Sequence, residues 1–189
     1  MKNNNADMMC LDIYLSDQRK EANKDKMGKT PPSNQSPMPL LCWDIFIENY
    51  HHRLIEAKKL TEMKQVIAFA EKFGWQNDVR AAFSENEYEA LIITDVDRKI
   101  IWVNEGFSEM TGYSKRFAMA KTPHFLQGKE TSPSTKARIK EKILKNKPFK
   151  EVIVNYKKDK TTYRCEVKII PLYSEKTTHY IAFEKQIVG

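Results

Sequence analysis

Glycine is scarce in this chain of 189 residues: there are six, and they never gather into a Gly-rich run. That excludes a phosphate-cradling loop, which needs several glycines within a few positions. A GxSxG nucleophile elbow is absent too. Cysteine is nearly missing. The three present, Cys10, Cys42 and Cys165, stand far apart with no CxxC spacing. An odd, scattered set argues against a disulfide scaffold or a zinc knuckle and points to a reducing, cytoplasmic setting. No apolar run approaches the roughly 20 residues of a membrane span. The N-terminal MKNNNADMM has no secretory core. His51 and His52 are adjacent on a helical pattern, so they point apart and make a poor chelate. No metal site is expected, and no enzyme constellation is present.

Charge is abundant but uneven. The net charge is +7. Residues 91–189 carry twenty Lys/Arg against eleven Asp/Glu, whereas residues 41–90 carry six against nine. The densest stretch, Lys136 to Lys160, holds ten cations against Glu141, Glu151 and Asp159. Such a face attracts phosphate-rich partners. It lacks the interleaved aromatics and arginines that read bases, so a solvated surface is the simpler expectation and nucleic acid the alternative.

The chain divides into three. Residues 1–39 are rich in Lys, Asn, Ser, Asp and Pro, and carry too little apolar surface to offset ordering. They are expected to be mostly disordered, apart from the short apolar motif Cys10–Leu15. Residues 40–78 are expected to form a helical extension. Trp43, Ile47, Tyr50, Leu54 and Ala57 follow a helical stripe, which Met63, Ile67, Ala70 and Phe73 continue. Thr61 is a candidate cap between two helices, and Gly74 a stop. This stripe either seals a homodimer or another signalling partner, with Trp43, Ile47, Tyr50, Leu54 and Ile67 as interface, or covers the following domain.

From residue 85 to 187 the pattern is strand, strand, short helices, then three strands. Leu91–Ile93 and Lys99–Val103 flank a turn. Asn104 is placed to cap a short helix that carries Phe107 and Met110. Gly112 ends that helix, and Ser114 caps the next turn. Ser132-Pro133 marks a further helix entry, with Ala137, Ile139, Ile143 and Leu144 as its apolar side. Alternation in Val152–Tyr156 and Tyr163–Ile169 marks half-buried antiparallel strands, and His179–Ile187 is the last. The class is α+β, with one five-stranded antiparallel sheet carrying short helices on one face. Trp102, Phe107, Tyr113, Phe125, Tyr156 and Phe183 either line a pocket in this domain or fill its core.

The segments ITDVDRKIIWVNEGFSEMTGYS, TPHFLQGKET, NYKKDKTTYRCEVKIIPLY and HYIAFE together resemble the PAS domain superfamily of sensory and interaction modules, from about Glu87 to Gln186. The nearest group is similar to the flavin-binding blue-light LOV domains. Their N-C-R-F-L-Q motif corresponds to Thr122-Pro123-His124-Phe125-Leu126-Gln127 here. The resemblance implies that Pro123 replaces the cysteine that forms the photoadduct, and that His124 replaces a phosphate-holding arginine. Lys140 falls near a second such arginine. Gln127 and Asn155 match flavin-contacting positions, Cys165 replaces a second asparagine, and Glu184 replaces the terminal glutamine.

The pocket set is therefore Trp102, Asn104, Phe107, Tyr113, Pro123, Phe125, Gln127, Asn155, Cys165, Val167 and Glu184. Lys168 or Arg164 is a candidate partner for Glu184. The expected function is a stand-alone, non-enzymatic sensory and protein-interaction module of bacterial-type signalling, with no cofactor or an unidentified small ligand and with no membrane contact. The alternatives are an FMN-binding photo- or redox receptor without adduct chemistry, and a basic-face binder of nucleic acid or another anionic partner. His124 is the weak candidate for a haem ligand.

Overall fold

A computed structural model describes residues 41–187, with side chains from residue 47 onward. Residues 1–40, with the Cys10–Leu15 motif, and the Trp43 side chain lie outside the described residues.

The chain enters on α1 (Leu41–Phe73), one helix of 33 residues. The expected division into two helices at Thr61 does not occur. No glycine or proline interrupts this stretch. The Thr61 hydroxyl bonds back to the Ala57 carbonyl at 2.9 Å, a use of threonine that a helix interior accommodates. Gly74, at φ +65°, ends the helix. A short helix absent from the sequence reading, α2 (Val79–Glu85), follows; the Asp78 carboxylate caps it by accepting from Ala81 N–H.

The sheet comprises β1 (Ala90–Asp95), β2 (Ile100–Val103), β3 (Phe149–Tyr156), β4 (Thr162–Tyr173) and β5 (Thr177–Ile187). All pairings are antiparallel, in the order β2-β1-β5-β4-β3. Between β2 and β3 run α3 (Glu105–Thr111), α4 (Lys115–Ala118), a 3-10 turn (Pro123–Leu126) and α5 (Pro133–Leu144). Asn104 caps α3 by accepting from Phe107 N–H, and Ser114 caps α4 by accepting from Phe117 N–H. Gly106 allows α3 to lie against the preceding chain, since a Cβ there would run into the Glu89 carbonyl oxygen. Ser132 does not cap α5; its hydroxyl pairs with that of Ser134 at 2.8 Å. Leu144 is 73% exposed, so it leaves the apolar side of α5 to Ile139 and Ile143.

Both faces of the sheet are covered, which is why β1 reads as an unbroken apolar run. Ala90 and Ile92 join Phe107, Leu126, Ile153, Cys165 and Val167 on the face under the short helices. Leu91 and Ile93 join Ile181 and Phe183 on the other face, under Val66, Phe69 and Phe73 of α1. Val66 is fully buried there, a contribution of about 2 kcal/mol.

Candidate functional site

On the short-helix face the core does not close completely. A cavity of about 310 Å³ remains between the sheet, the 3-10 turn and α5. That is within the range of small-ligand sites, roughly 300–1,000 Å³. Its middle is apolar: Ile92, Leu126, Ile139, Ile143, Ile153, Val167 and Ile169. Its two polar groupings differ in kind.

Three cations, Arg98, Lys136 and Lys140, line the cavity together with His124. Lys136 and Lys140 stand one turn apart on α5, and Arg98 sits in the β1–β2 turn at φ 65°. None of the three forms an ion pair among the described residues, in contrast to four other cations on and near α5. Arg138 and Lys142 both pair with Glu151, Lys145 with Glu141, and Lys150 with Glu166. The Lys142 ammonium and then the Arg138 guanidinium hold the Glu151 carboxyl below its ordinary range. The basic run from Lys136 to Lys160 is therefore not one uniform face. Part of it is neutralised along α5 and β3, and two lysines turn to the cavity.

Gln127, Asn155 and Glu184 supply the other grouping. Gln127 Oε1 is buried without a hydrogen-bond partner. An orphaned acceptor of this kind costs about 1–3 kcal/mol, and a bound donor would recover it. Glu184 is 4% exposed. The expected pairing with Lys168 or Arg164 is not formed, because the register forbids it. Val167 lies opposite Glu184, while Lys168 lies opposite Phe183 and Arg164 opposite Ile187, on the other face. The Glu184 carboxylate instead meets the Cys165 thiol, Sγ to Oε2 at 3.8 Å. Burial with so weak a donor pushes the Glu184 carboxyl up to about 7. Burial and the Glu184 charge also push the Cys165 thiol up, which leaves it a poor nucleophile.

Of the residues singled out in the sequence, Pro123, Gln127, Asn155, Val167 and Glu184 line the cavity. Cys165 and Phe107 are buried in the adjoining core. Tyr113 and Phe125 pack edge to face at 5.1 Å, with Phe117 against both. Asn104 is a buried hub beside β1 and does not line the cavity. Trp102 points to the other face, against Phe69 of α1 at 6.3 Å between ring centroids. Ile47, Tyr50 and Leu54 are about half exposed on α1, whereas Ile67 packs against the sheet of its own chain. Sequence reasoning did not place Arg98, Tyr180 or Lys136, the last read only as the start of the basic run, at the cavity. The i, i+4 lysines flanking Ile139 were a readable signal for one of them; the other two depend on turn geometry and strand register.

Lys140, Lys136 and Arg98 suit a phosphate, and Gln127 and Asn155 suit a polar ring edge. Pro123, which opens the 3-10 turn at the cavity, offers no thiol. Among the described residues no group of three or more His, Cys, Asp or Glu is arranged to hold a metal ion. Nor is any helix among them long and apolar enough to cross a membrane.

Comparison with known proteins agrees with this architecture. The chain is 35% identical over 101 residues to a blue-light photoreceptor of Listeria monocytogenes, a match that covers 51% of this chain and 40% of the relative. It is 31% identical over 96 residues to the bacterioopsin transcriptional activator of Halobacterium salinarum, covering 50% of this chain and 14% of the relative. The LOV domain of the Erythrobacter litoralis EL346 blue-light activated histidine kinase superposes with a TM-score of 0.52 at 27% identity, covering 55% of this chain and all of that domain. The chain thus spans less than half the length of the curated relatives it matches here. Residues 89–185, just over half of the sequence, match the PAS domain family model, and the chain belongs to that family.

Proposed function

We propose that this chain is a non-enzymatic sensory module that takes a small ligand with an anionic head into its cavity and signals through α1. One observation carries the reading. A single apolar cavity combines three unpaired cations with an orphaned buried acceptor, Gln127 Oε1. Three cations gathered at one cavity without a carboxylate partner suit an anion. The likeness to the blue-light photoreceptor of Listeria monocytogenes supports the role. Output goes through α1, whose exposed Ile47, Tyr50 and Leu54 suit a second copy of the chain or another signalling protein. Ile47→Glu with Leu54→Glu should convert a dimer to a monomer by light scattering; an unchanged mass would remove that part of the reading.

The second reading is FMN as the ligand. Lys140, Lys136 and Arg98 would hold its phosphate, with Gln127, Asn155 and Glu184 at the ring. Bound flavin would supply visible absorption and redox chemistry. The chain's own residues would bind and orient it, and Glu184 would hold or release a proton at its carboxylate. Pro123 makes this a receptor without a cysteine adduct. The deciding experiment is an absorption spectrum of the purified protein, followed by mass spectrometry of what denaturation releases. Flavin bands with released FMN select the second reading. A released colourless phosphate or carboxylate selects the first. If nothing is released and neither FMN nor a fatty acid binds below millimolar concentration, ligand input is refuted and an interaction module remains.

A further inference from the structure

Glu62 lies in the middle of α1 and is 7% exposed. A carboxylate in that position is costly unless donors meet it. Two do: the Tyr88 hydroxyl donates to Oε2 at 2.8 Å, and Asn104 Nδ2 donates to Oε1 at 3.0 Å. The lysines beside it in sequence are engaged elsewhere. Lys58 pairs with Glu109 across to α3, and Lys59 lies over the Tyr88 ring.

Asn104 carries the connection inward. Its Nδ2 also donates to the Glu89 carbonyl at 3.2 Å, while its Oδ1 accepts from Leu91 N–H and Phe107 N–H. Glu89 N–H in turn donates to the Glu184 carbonyl at 2.8 Å. A main-chain route therefore runs from the carbonyl of Glu184, whose side chain lines the cavity, to Glu89 N–H, and from the Glu89 carbonyl through the Asn104 amide to Glu62 on α1. A packing route lies alongside. Phe183, next to Glu184 on the opposite face, meets the Tyr88 ring edge-on at 5.7 Å, and Tyr88 is the other donor to Glu62. Both routes converge on one carboxylate.

We propose that Glu62 is the positioning residue through which the cavity governs the docking of α1 on the sheet. This rests on the reading of the cavity as the input and of α1 as the output. The bistable element is the segment of α1 from Glu62 to Phe73. It is docked with Glu62 held by Tyr88 and Asn104, or lifted with Glu62 hydrated. A change at Glu184 shifts that equilibrium only by as much as it favours one state over the other. Without Glu62 the helix still packs through Val66, Phe69 and Phe73, but it no longer senses Glu184.

The test is hydrogen exchange read by mass spectrometry on the full chain with no ligand added. The perturbation is Glu184→Gln, placed in four backgrounds: wild type, Glu62→Leu, Glu62→Gln and Lys58→Ala. Exchange in β3 and β4 monitors intact folding. The expected result is a change of fivefold or more in exchange over residues 62–73 when Glu184→Gln is made in wild type. It persists in Glu62→Gln, which keeps a hydrogen-bonding end, and in Lys58→Ala, which loosens α1 by a separate contact. It falls below twofold in Glu62→Leu. Equal changes in wild type and Glu62→Leu would overturn the proposal, as would no change in wild type. If Glu62→Leu does not fold, Tyr88→Phe replaces it and should reduce the response by removing one donor; an undiminished response then refutes the proposal. Because no ligand is used, the result stands apart from whether the cavity binds an anion.

Discussion

The two faces of the sheet each bury one glutamate, and they treat it differently. On the α1 face, Glu62 has two full-strength donors within 3.0 Å, one of them Tyr88, which packs edge to face with Phe83 and Phe183. On the cavity face, Glu184 has only a thiol at 3.8 Å, beside an orphaned amide oxygen and open volume. A satisfied polar group is a fastening. An under-satisfied one beside a cavity is poised to meet something that the chain does not itself provide. The α1 face is thereby read as the fastened one and the cavity face as the receptive one.

The sharpest way to break this comparison is to remove the hub between the faces. Asn104→Leu should cost about 4 kcal/mol in urea unfolding, because it strands the buried Leu91 and Phe107 N–H groups at about 1–3 kcal/mol each. A cost below about 1 kcal/mol would mean that water replaces the amide and that the hub is not one.

Next comes the titration of Glu184. Its folded pKa, about 7, lies above the ordinary 4.5. The folded state then binds more protons than the unfolded state between those values, so stability falls as pH rises from about 4.5 to about 7 and levels above. The span is about 3 kcal/mol at 1.36 kcal/mol per pH unit. Glu184→Gln should flatten that part of the profile. His179, whose pKa burial lowers, tilts the profile in the opposite sense in both proteins and cancels in the comparison. Identical profiles for the two proteins would place Glu184 in contact with water and undo the contrast with Glu62.

Packing is the third test. Val66→Ala should cost about 2 kcal/mol and loosen α1, since the site is fully buried against the sheet. The smallest effect belongs to the receptive face. Gln127→Leu should change stability by no more than about 0.5 kcal/mol, or raise it, because the lost oxygen has no partner to strand. A loss above 1 kcal/mol would show that Gln127 is part of the core and not of a binding surface. Measured together, Asn104→Leu and Gln127→Leu separate a polar group that holds the fold from one that waits on it.

Much of the fold was legible. Alternation in Tyr163–Ile169, the Asn104 and Ser114 caps and the Gly112 stop all follow from local rules that the chain obeys. The break expected at Thr61 was misread because a capping residue type also tolerates a helix interior when its hydroxyl turns back on Ala57. The site was legible in part. Gln127, Asn155 and Glu184 were named from resemblance, and they do meet in one cavity. Trp102 was placed on the wrong face, because a four-residue strand with both faces buried shows no alternation by which to orient it. Arg98 was missed because a turn residue shows nothing of what it turns toward.

What the sequence by itself determined is local. Its periodicities made the strands and helices, its glycines among the described residues fell where a left-handed stop or a close approach was required, and its motifs assigned the family. What only the tertiary structure decided is which charges stay alone. Pairing depends on distances across strands and between elements, and those are set by register and packing. Lys136 is left unpaired while Arg138 is neutralised, two positions along the same helix, because one side of α5 faces the cavity and the other faces Glu151. By the same logic Glu184 is left with a thiol while Glu62 receives two donors, although both are glutamates in apolar surroundings.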